Sequence, residues 1–232
     1  MIGSKPMIQW TYESAKKATV LDEVIVATDD LRIKSAVEKF GGKVLMTRAD
    51  HQTGTDRLIE VVSLLLDKDL QKSDIIVNIQ GDEPGIEPDL IQGVVDLKKR
   101  RPDWEMTTAA VPMDPEDSSD PNRVKVVFDR TGRALYFSRS VIPYIQKPES
   151  FNPPNPFYFR HLGIYAYNLG FLQGFHSLPA SDWEASESLE QLRVLQNGGN
   201  IGVFIAKEAA LSIDKPEDLE PVLLEFQGRG WI

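Results

Sequence analysis

Asp82 and Glu83 fall in the segment NIQGDEP (residues 78–84), directly after the apolar run Ile75, Ile76, Val77. This order reads as a buried strand that ends in a turn bearing Gln80, a glycine and two carboxylates. In open α/β sheets ligands bind beyond the carboxyl ends of the strands, where such a turn can hold Mg²⁺ against phosphate oxygens. A plainer reading is that the two acids only start the next helix. A second group lies upstream in TRADHQTGTDR (residues 47–57), again between a strand pattern and a helix pattern. Taken alone, Thr55 reads as a helix cap and Arg57 as a solvated side chain. Taken with the acidic turn, the glycine, the hydroxyls and Arg57 converge where backbone N–H groups are free for a ligand.

The elements that must position these groups follow from the hydrophobic pattern. Strand patterns at 24–28, 43–47 and 75–79 alternate with helical ones at 30–40 and 55–67, which predicts parallel strands with crossover helices. A helix at 88–101 and a strand at 106–113 follow, then a polar loop at 114–122. Strands at 124–129, 134–138 and 162–167 come without crossover helices, so the layout is expected to turn mixed or antiparallel there. The three prolines and two asparagines in 150–157 predict an exposed loop. A helix carrying Leu189, Leu192 and Leu195, a strand at 201–206 and a last helix from about Pro216 complete the chain. At the amino end a loop over residues 3–7 enters a helix with Pro6 near its first turn, and no strand precedes it. A doubly wound domain normally opens with a strand, so the sequence is expected to start one supersecondary unit late; the alternative is a domain that opens on a helix.

With 232 residues and 41% hydrophobic content, the chain is long enough for one large α/β domain with a smaller lobe. A formal net charge of -9 argues against nucleic-acid binding, which needs a basic stripe. There is no cysteine, hence no disulfide framework and no thiolate nucleophile. Neither a secretory signal nor an apolar run of membrane-spanning length is visible, which makes the cytoplasm the expected location and excludes membrane insertion.

Eight ordered motifs carry a resemblance to a known family: GSKPMI (3–8), VIVATDD (24–30), TRADHQTGTDR, VNIQGDEP, ALYFSRSVIP (134–143), RHLGIYAY (160–167), SLEQLRVL (188–195) and SIDKPEDLE (212–220). Together they resemble the 3-deoxy-manno-octulosonate cytidylyltransferases, the CMP-Kdo synthetases of lipopolysaccharide assembly, over essentially the whole chain. The resemblance implies a single domain over residues 1–232 with a nucleotide-diphospho-sugar-transferase-like, Rossmann-like mixed sheet, helices on both faces and a small antiparallel lobe. The implied reaction is attack of the anomeric hydroxyl of Kdo on the α-phosphorus of CTP, giving CMP-Kdo and pyrophosphate. Asp82 and Asp214 match the family's Mg²⁺-binding carboxylates, although Asp214 alone, ahead of Lys215-Pro216-Glu217, reads as a helix cap. Gln80, Arg139, His161, Tyr165, Glu190 and Gln191 match positions around Kdo, with Arg139 suited to the sugar carboxylate. A lone histidine such as His161 is by itself more often a structural hydrogen-bonder. Glu190 and Gln191 border a leucine stripe and alone read as a solvated helix edge. Thr53, Gly54 and Arg57 match the nucleotide side, and a homodimer is implied.

The resemblance also implies a departure. Relatives carry a first strand and a phosphate-gripping loop ahead of the GSKPMI stretch, so this sequence is expected to lack that clamp, and the strands at 24–28 and 75–79 are expected to flank an empty slot. Lys5 belongs to a second Gly-x-Lys-Pro stretch and is not the clamp's lysine. Two alternatives remain: a weakly active or binding-only homologue, and a transferase for a related sugar such as amino-Kdo.

Overall fold

The computed structural model describes residues 1–51, 53–65, 70–147, 149–150, 156–209, 211–213 and 215–232. In chain order the helices and strands are α1 (Met7–Lys17), β1 (Val26–Thr28), α2 (Leu31–Lys39), β2 (Val44–Met46), α3 (Gly54–Leu64), β3 (Ile75–Asn78), α4 (Pro88–Arg100), β4 (Met106–Met113), β5 (Lys125–Phe128), β6 (Ala134–Ser138), β7 (Tyr158–Asn168), α5 (Leu169–Gly174), α6 (Asp182–Glu187), α7 (Gln191–Gln196), β8 (Ile201–Ile205) and α8 (Leu219–Gly228). They divide into two compact units. The first comprises Met1–Leu70, Asn78–Gln92 and Ala210–Ile232; the second comprises Gln71–Val77 and Gly93–Ala209.

In the first unit α1 starts after Pro6, whose fixed φ suits the helix entry. Asp30 caps α2 by accepting the Arg32 N–H at 2.7 Å. Strands β1 and β2 pair in parallel, with Val26 opposite Val44 and Thr28 opposite Met46. The cap of α3 is Thr53, whose hydroxyl accepts the Asp56 N–H at 3.1 Å, whereas Thr55 is buried in the first turn. The apolar core joins the two ends of the chain: Ile2 packs with Val222 and Phe226 of α8, and Met7, Trp10, Leu211, Ile213, Leu219 and Leu223 surround them.

The second unit is built on one sheet in the order β6-β5-β7-β4-β8, with β3 also paired to β7. β4 is parallel to β8 and antiparallel to β7, and β5 and β6 form an antiparallel pair. Gly93 lets α4 lie flush on this sheet, because a Cβ there would come within 2.3 Å of the Phe204 ring. This mixed sheet with its antiparallel arm bears out the expected fold class.

Three local expectations need correction. The stretch 114–122 contains a 3₁₀ turn, Pro115–Ser119, opened by its proline and closed by Ser118 Oγ donating to the Pro115 carbonyl at 2.6 Å. Strand β7 starts at Tyr158 and not at Leu162, because residues 158–161 continue the pairing with β4. The leucine stripe spans a break: α7 begins at Gln191, and Leu189 precedes it, just after the left-handed Ser188. β1 lies in the two-stranded sheet and β3 in the larger one. Parts of the expected helix at 55–67 and of the loop at 150–157 lie outside the described residues.

Candidate active site

The acidic turn is held by α1. Thr11 Oγ1 donates to the Gly81 carbonyl at 3.2 Å, and Ser14 Oγ donates to that of Ile86 at 2.5 Å. A Cβ at position 81 would lie 3.2 Å from Ile8 Cδ1, a tight contact that the Ile8 side chain would have to yield to. The chain reverses through this turn by the Glu83 N–H donating to the Gln80 carbonyl at 3.3 Å. Gln80, Asp82 and Glu83 are all partly exposed there. The Ile213 N–H donates to the Asp82 carbonyl at 2.9 Å, which fastens the residue before Asp214 to Asp82. Asp214 itself lies outside the described residues. The helical turn after it is capped from within, by the Asp218 carboxylate accepting the Lys215 N–H at 2.8 Å.

Arg57 gathers the carboxyl ends of both strands of the small sheet. Its Nη1 donates to Asp29 Oδ1 at 3.0 Å and to Thr47 Oγ1 at 2.6 Å, and these residues directly follow β1 and β2. Its backbone N–H donates to the Thr53 carbonyl, and Gly54 opens the same helix turn with an exposed backbone. Beside it Glu60 accepts from the His51 ring and from the Arg48 N–H, and the His51 contact lowers the Glu60 pKa. Lys5 is tied to Glu13 at 2.6 Å and lies over the Trp10 ring, in keeping with a structural role.

The second unit carries the other predicted residues. Arg139, just past β6, is clamped from several sides: its N–H donates to Glu187 Oε2 at 2.9 Å, its Nε to the Glu187 carbonyl at 2.7 Å and its Nη1 to the Pro121 carbonyl at 3.1 Å. Its own carbonyl accepts from Lys125 Nζ at 2.6 Å. Lys125 is fully buried, and burial pushes its ammonium pKa down. Nη2 has no partner among the described residues, so the guanidinium is oriented yet keeps donors for an anion.

His161 packs its ring against Phe137 and Tyr165, with centroids 4.9 and 5.5 Å away, and its Nε2 lies 2.9 Å from Thr108 Oγ1. Burial, with a smaller contribution from Arg160, pushes its pKa down to about 3, so the imidazole is neutral near pH 7. Tyr165 Oη donates to Gln191 Oε1 at 3.3 Å. The Gln191 Nε2 is buried without a hydrogen-bond partner among the described residues. Such a group is costly unless a ligand or water accepts from it. Glu190 stands at the start of α7, partly exposed.

Comparison with known proteins gives the family. The cytidylyltransferase family model matches residues 1–207. A 3-deoxy-manno-octulosonate cytidylyltransferase of Leptospira interrogans is 53% identical over 232 residues, covering 100% of this chain and 90% of the relative. The chain belongs to the 3-deoxy-manno-octulosonate cytidylyltransferase family. A family member from Thermodesulfovibrio yellowstonii is 48% identical over 223 residues, covering 94% of this chain and 87% of its own. A solved CMP:2-keto-3-deoxy-manno-octonic acid synthetase complexed with CTP is 40% identical, with a TM-score of 0.90 over 99% of this chain and 90% of that one. A 4-diphosphocytidyl-2C-methyl-D-erythritol synthase from Anaerococcus prevotii, 14% identical with a TM-score of 0.62 over 98% of this chain and 88% of that one, shares the fold.

Within this family member, the predicted nucleotide-side residues Thr53, Gly54 and Arg57, the acidic Asp82 and one predicted sugar-side residue, Gln80, fall in the first unit. The other predicted sugar-side residues, Arg139, His161, Tyr165, Glu190 and Gln191, fall in the second. Sequence reasoning missed the residues that hold them. Asp29 and Thr47 lie within the VIVATDD and TRADHQTGTDR motifs, and their place just after strand patterns is the available signal. Glu187, Lys125 and Thr108 give none, since each acts on a residue distant in sequence.

Proposed function

We propose that the protein transfers CMP from CTP to 3-deoxy-D-manno-octulosonate (Kdo), giving CMP-Kdo and pyrophosphate for lipopolysaccharide assembly. The observation that carries this reading is the likeness, at 40% identity and a TM-score of 0.90, to a CMP-Kdo synthetase complexed with CTP. In this reading the protein is one catalytic domain, cytoplasmic and homodimeric, with Mg²⁺ as cofactor.

Arg57, oriented by Asp29 and Thr47, and the open turn at Thr53 and Gly54 take the nucleotide. The clamped Arg139 pairs with the Kdo carboxylate, for which a fixed guanidinium loses little freedom on binding. Gln80, His161, Tyr165, Glu190 and Gln191 meet the sugar hydroxyls, with the unpartnered Gln191 Nε2 as a ready donor. The donor set fits Mg²⁺: carboxylates are hard oxygen ligands, and the Ile213–Asp82 hydrogen bond tethers the chain next to Asp214 to the acidic turn. Asp82 and Asp214 would hold the ion, which when bound neutralises phosphate charge and favours ionisation of the attacking hydroxyl. Holding both substrates in line is the larger part of such catalysis.

The test is to incubate the purified chain with CTP and Kdo, with and without Mg²⁺, following pyrophosphate release and the product mass. CMP-Kdo formed only with Mg²⁺ is the expected result. No product, or a clear preference for amino-Kdo or another nucleoside triphosphate, would overturn the reading.

A further inference from the structure

His161 and Tyr165 are four residues apart in β7, which in a regular strand would separate them by about 13 Å. Their ring centroids lie 5.5 Å apart. The cause is a bulge: Thr108 of β4 pairs with Tyr165 while Ala109 pairs with Leu162, so Gly163 and Ile164 are extra residues on β7. The side chain of Thr108, wholly buried, points into this irregularity. Its Oγ1 lies 2.7 Å from the Ile164 carbonyl, 3.1 Å from the Leu162 carbonyl and 2.9 Å from His161 Nε2.

A threonine hydroxyl has one proton to donate, and carbonyl oxygens only accept. With two carbonyls inside hydrogen-bond distance, the Thr108 proton is committed to them, and the remaining contact closes only if His161 Nε2 carries the hydrogen and donates to Oγ1. The reverse assignment would give the Thr108 proton to Nε2 and leave both carbonyls facing an oxygen lone pair. A neutral imidazole protonated at Nε2 has a bare lone pair at Nδ1, and Nδ1 has no partner among the described residues. We propose that Thr108 is a positioning residue that fixes His161 as the Nε2–H tautomer, so that Nδ1 is a dedicated acceptor for a sugar hydroxyl. This rests on the Kdo reading above for the identity of the ligand and not for the tautomer. Such an acceptor and the unpartnered Gln191 Nε2 donor together suit hydroxyl groups, which both donate and accept.

The tautomer is read on the ligand-free wild-type protein labelled with ¹⁵N-histidine, where long-range proton–nitrogen spectra tell a protonated from a bare ring nitrogen. The His161 signals are assigned by their loss in His161→Gln. A protonated Nε2 and a bare Nδ1 are expected; a protonated Nδ1 overturns the proposal without need of any variant. Thr108→Val, which keeps the shape and removes the hydroxyl, should mix the tautomers and raise KM for Kdo about tenfold, leaving KM for CTP within about twofold. Thr108→Ser should restore both readouts. His161→Gln can still reach Thr108 but lacks an acceptor at the Nδ1 position, so it should raise KM for Kdo similarly, which keeps the test open if Thr108→Val does not fold. Unchanged Kdo kinetics in His161→Gln would overturn the acceptor role. A correct wild-type tautomer in a protein that ignores Kdo would instead overturn the substrate assignment.

Discussion

Arg57 Nη1 lies 3.0 Å from Asp29 Oδ1, although 28 positions separate the two residues. With Thr47 as the third partner, one guanidinium ties the ends of β1 and β2 to the first turn of α3. Asp29→Asn should therefore cost little stability, roughly 0.2–1 kcal/mol for a pair this exposed, while freeing the guanidinium to swing. CTP binding should weaken about five- to tenfold by calorimetry with Kdo binding unchanged, since one charged contact to the nucleotide is lost or misdirected. Equal weakening for both substrates would contradict the placement of Arg57 on the nucleotide side.

Asp82→Asn should abolish Mg²⁺-dependent pyrophosphate release with little loss of folding, because the carboxamide is nearly isosteric and the Asp82 contact with Ile213 is made by its backbone. Asp214→Asn should behave likewise. Chelation by EDTA should silence the wild type reversibly. Retained turnover in both variants would sink the assignment.

Glu187 accepts from both Ser138 Oγ and the Arg139 N–H, so it sets the backbone from which the guanidinium reaches out. Glu187→Gln turns one acceptor into a donor facing a donor. We expect KM for Kdo to rise several-fold with CTP affinity intact, and Arg139→Lys, which loses both side-chain anchors to carbonyls, to be worse. A variant of Glu187 with wild-type Kdo kinetics would show that Arg139 is held elsewhere.

The depressed pKa of His161 fixes the direction of an acid effect. The unfolded chain binds a proton there below pH 6.5, whereas the folded protein does so only near pH 3. Stability from this group is thus complete above pH 6.5 and falls on acidification, by roughly 1.4 kcal/mol per pH unit until the folded pKa is reached. Asp30 and Asp129, held near pKa 2 chiefly by hydrogen bonds from Arg32 and Thr131, lose their contribution only below pH 3.8. Urea unfolding at pH values spanning 5 to 7 should show the loss in the wild type and a flatter profile in His161→Gln; parallel profiles would contradict it.

Elements with strong period or punctuation are legible in the residues alone: the strands at 106–113 and 134–138 match β4 and β6, and Pro6 marks the entry to α1. The candidate site residues are named from the order of the motifs. The supports are not. Thr108 reads as one more β-branched residue in a buried strand, and only the bulge opposite gives its hydroxyl a task. Lys125 looks like a surface lysine in a short strand, and its burial follows from two carbonyls, of Asp120 and Arg139, that accept its ammonium protons. Helices α5 and α6 are six residues each, too short for the helical period to declare itself.

The core that joins Ile2 to Val222 and Phe226 has a consequence for the order in which the protein is made. Every residue of the second unit precedes α8 in the chain, whereas the core of the first unit is incomplete without α8. The core of the first unit must wait, because Ile2 packs against Val222 and Phe226. Long-range closure of this kind is slow, because the loop between the partners has to be ordered before any contact rewards it. Pulse-labelled hydrogen exchange during refolding should accordingly protect the amides of β4 and β7 before those of α8, and simultaneous protection would refute the order. The sheet that carries Arg139 and His161 would then form first, and the core that seats Ile2 against α8 last.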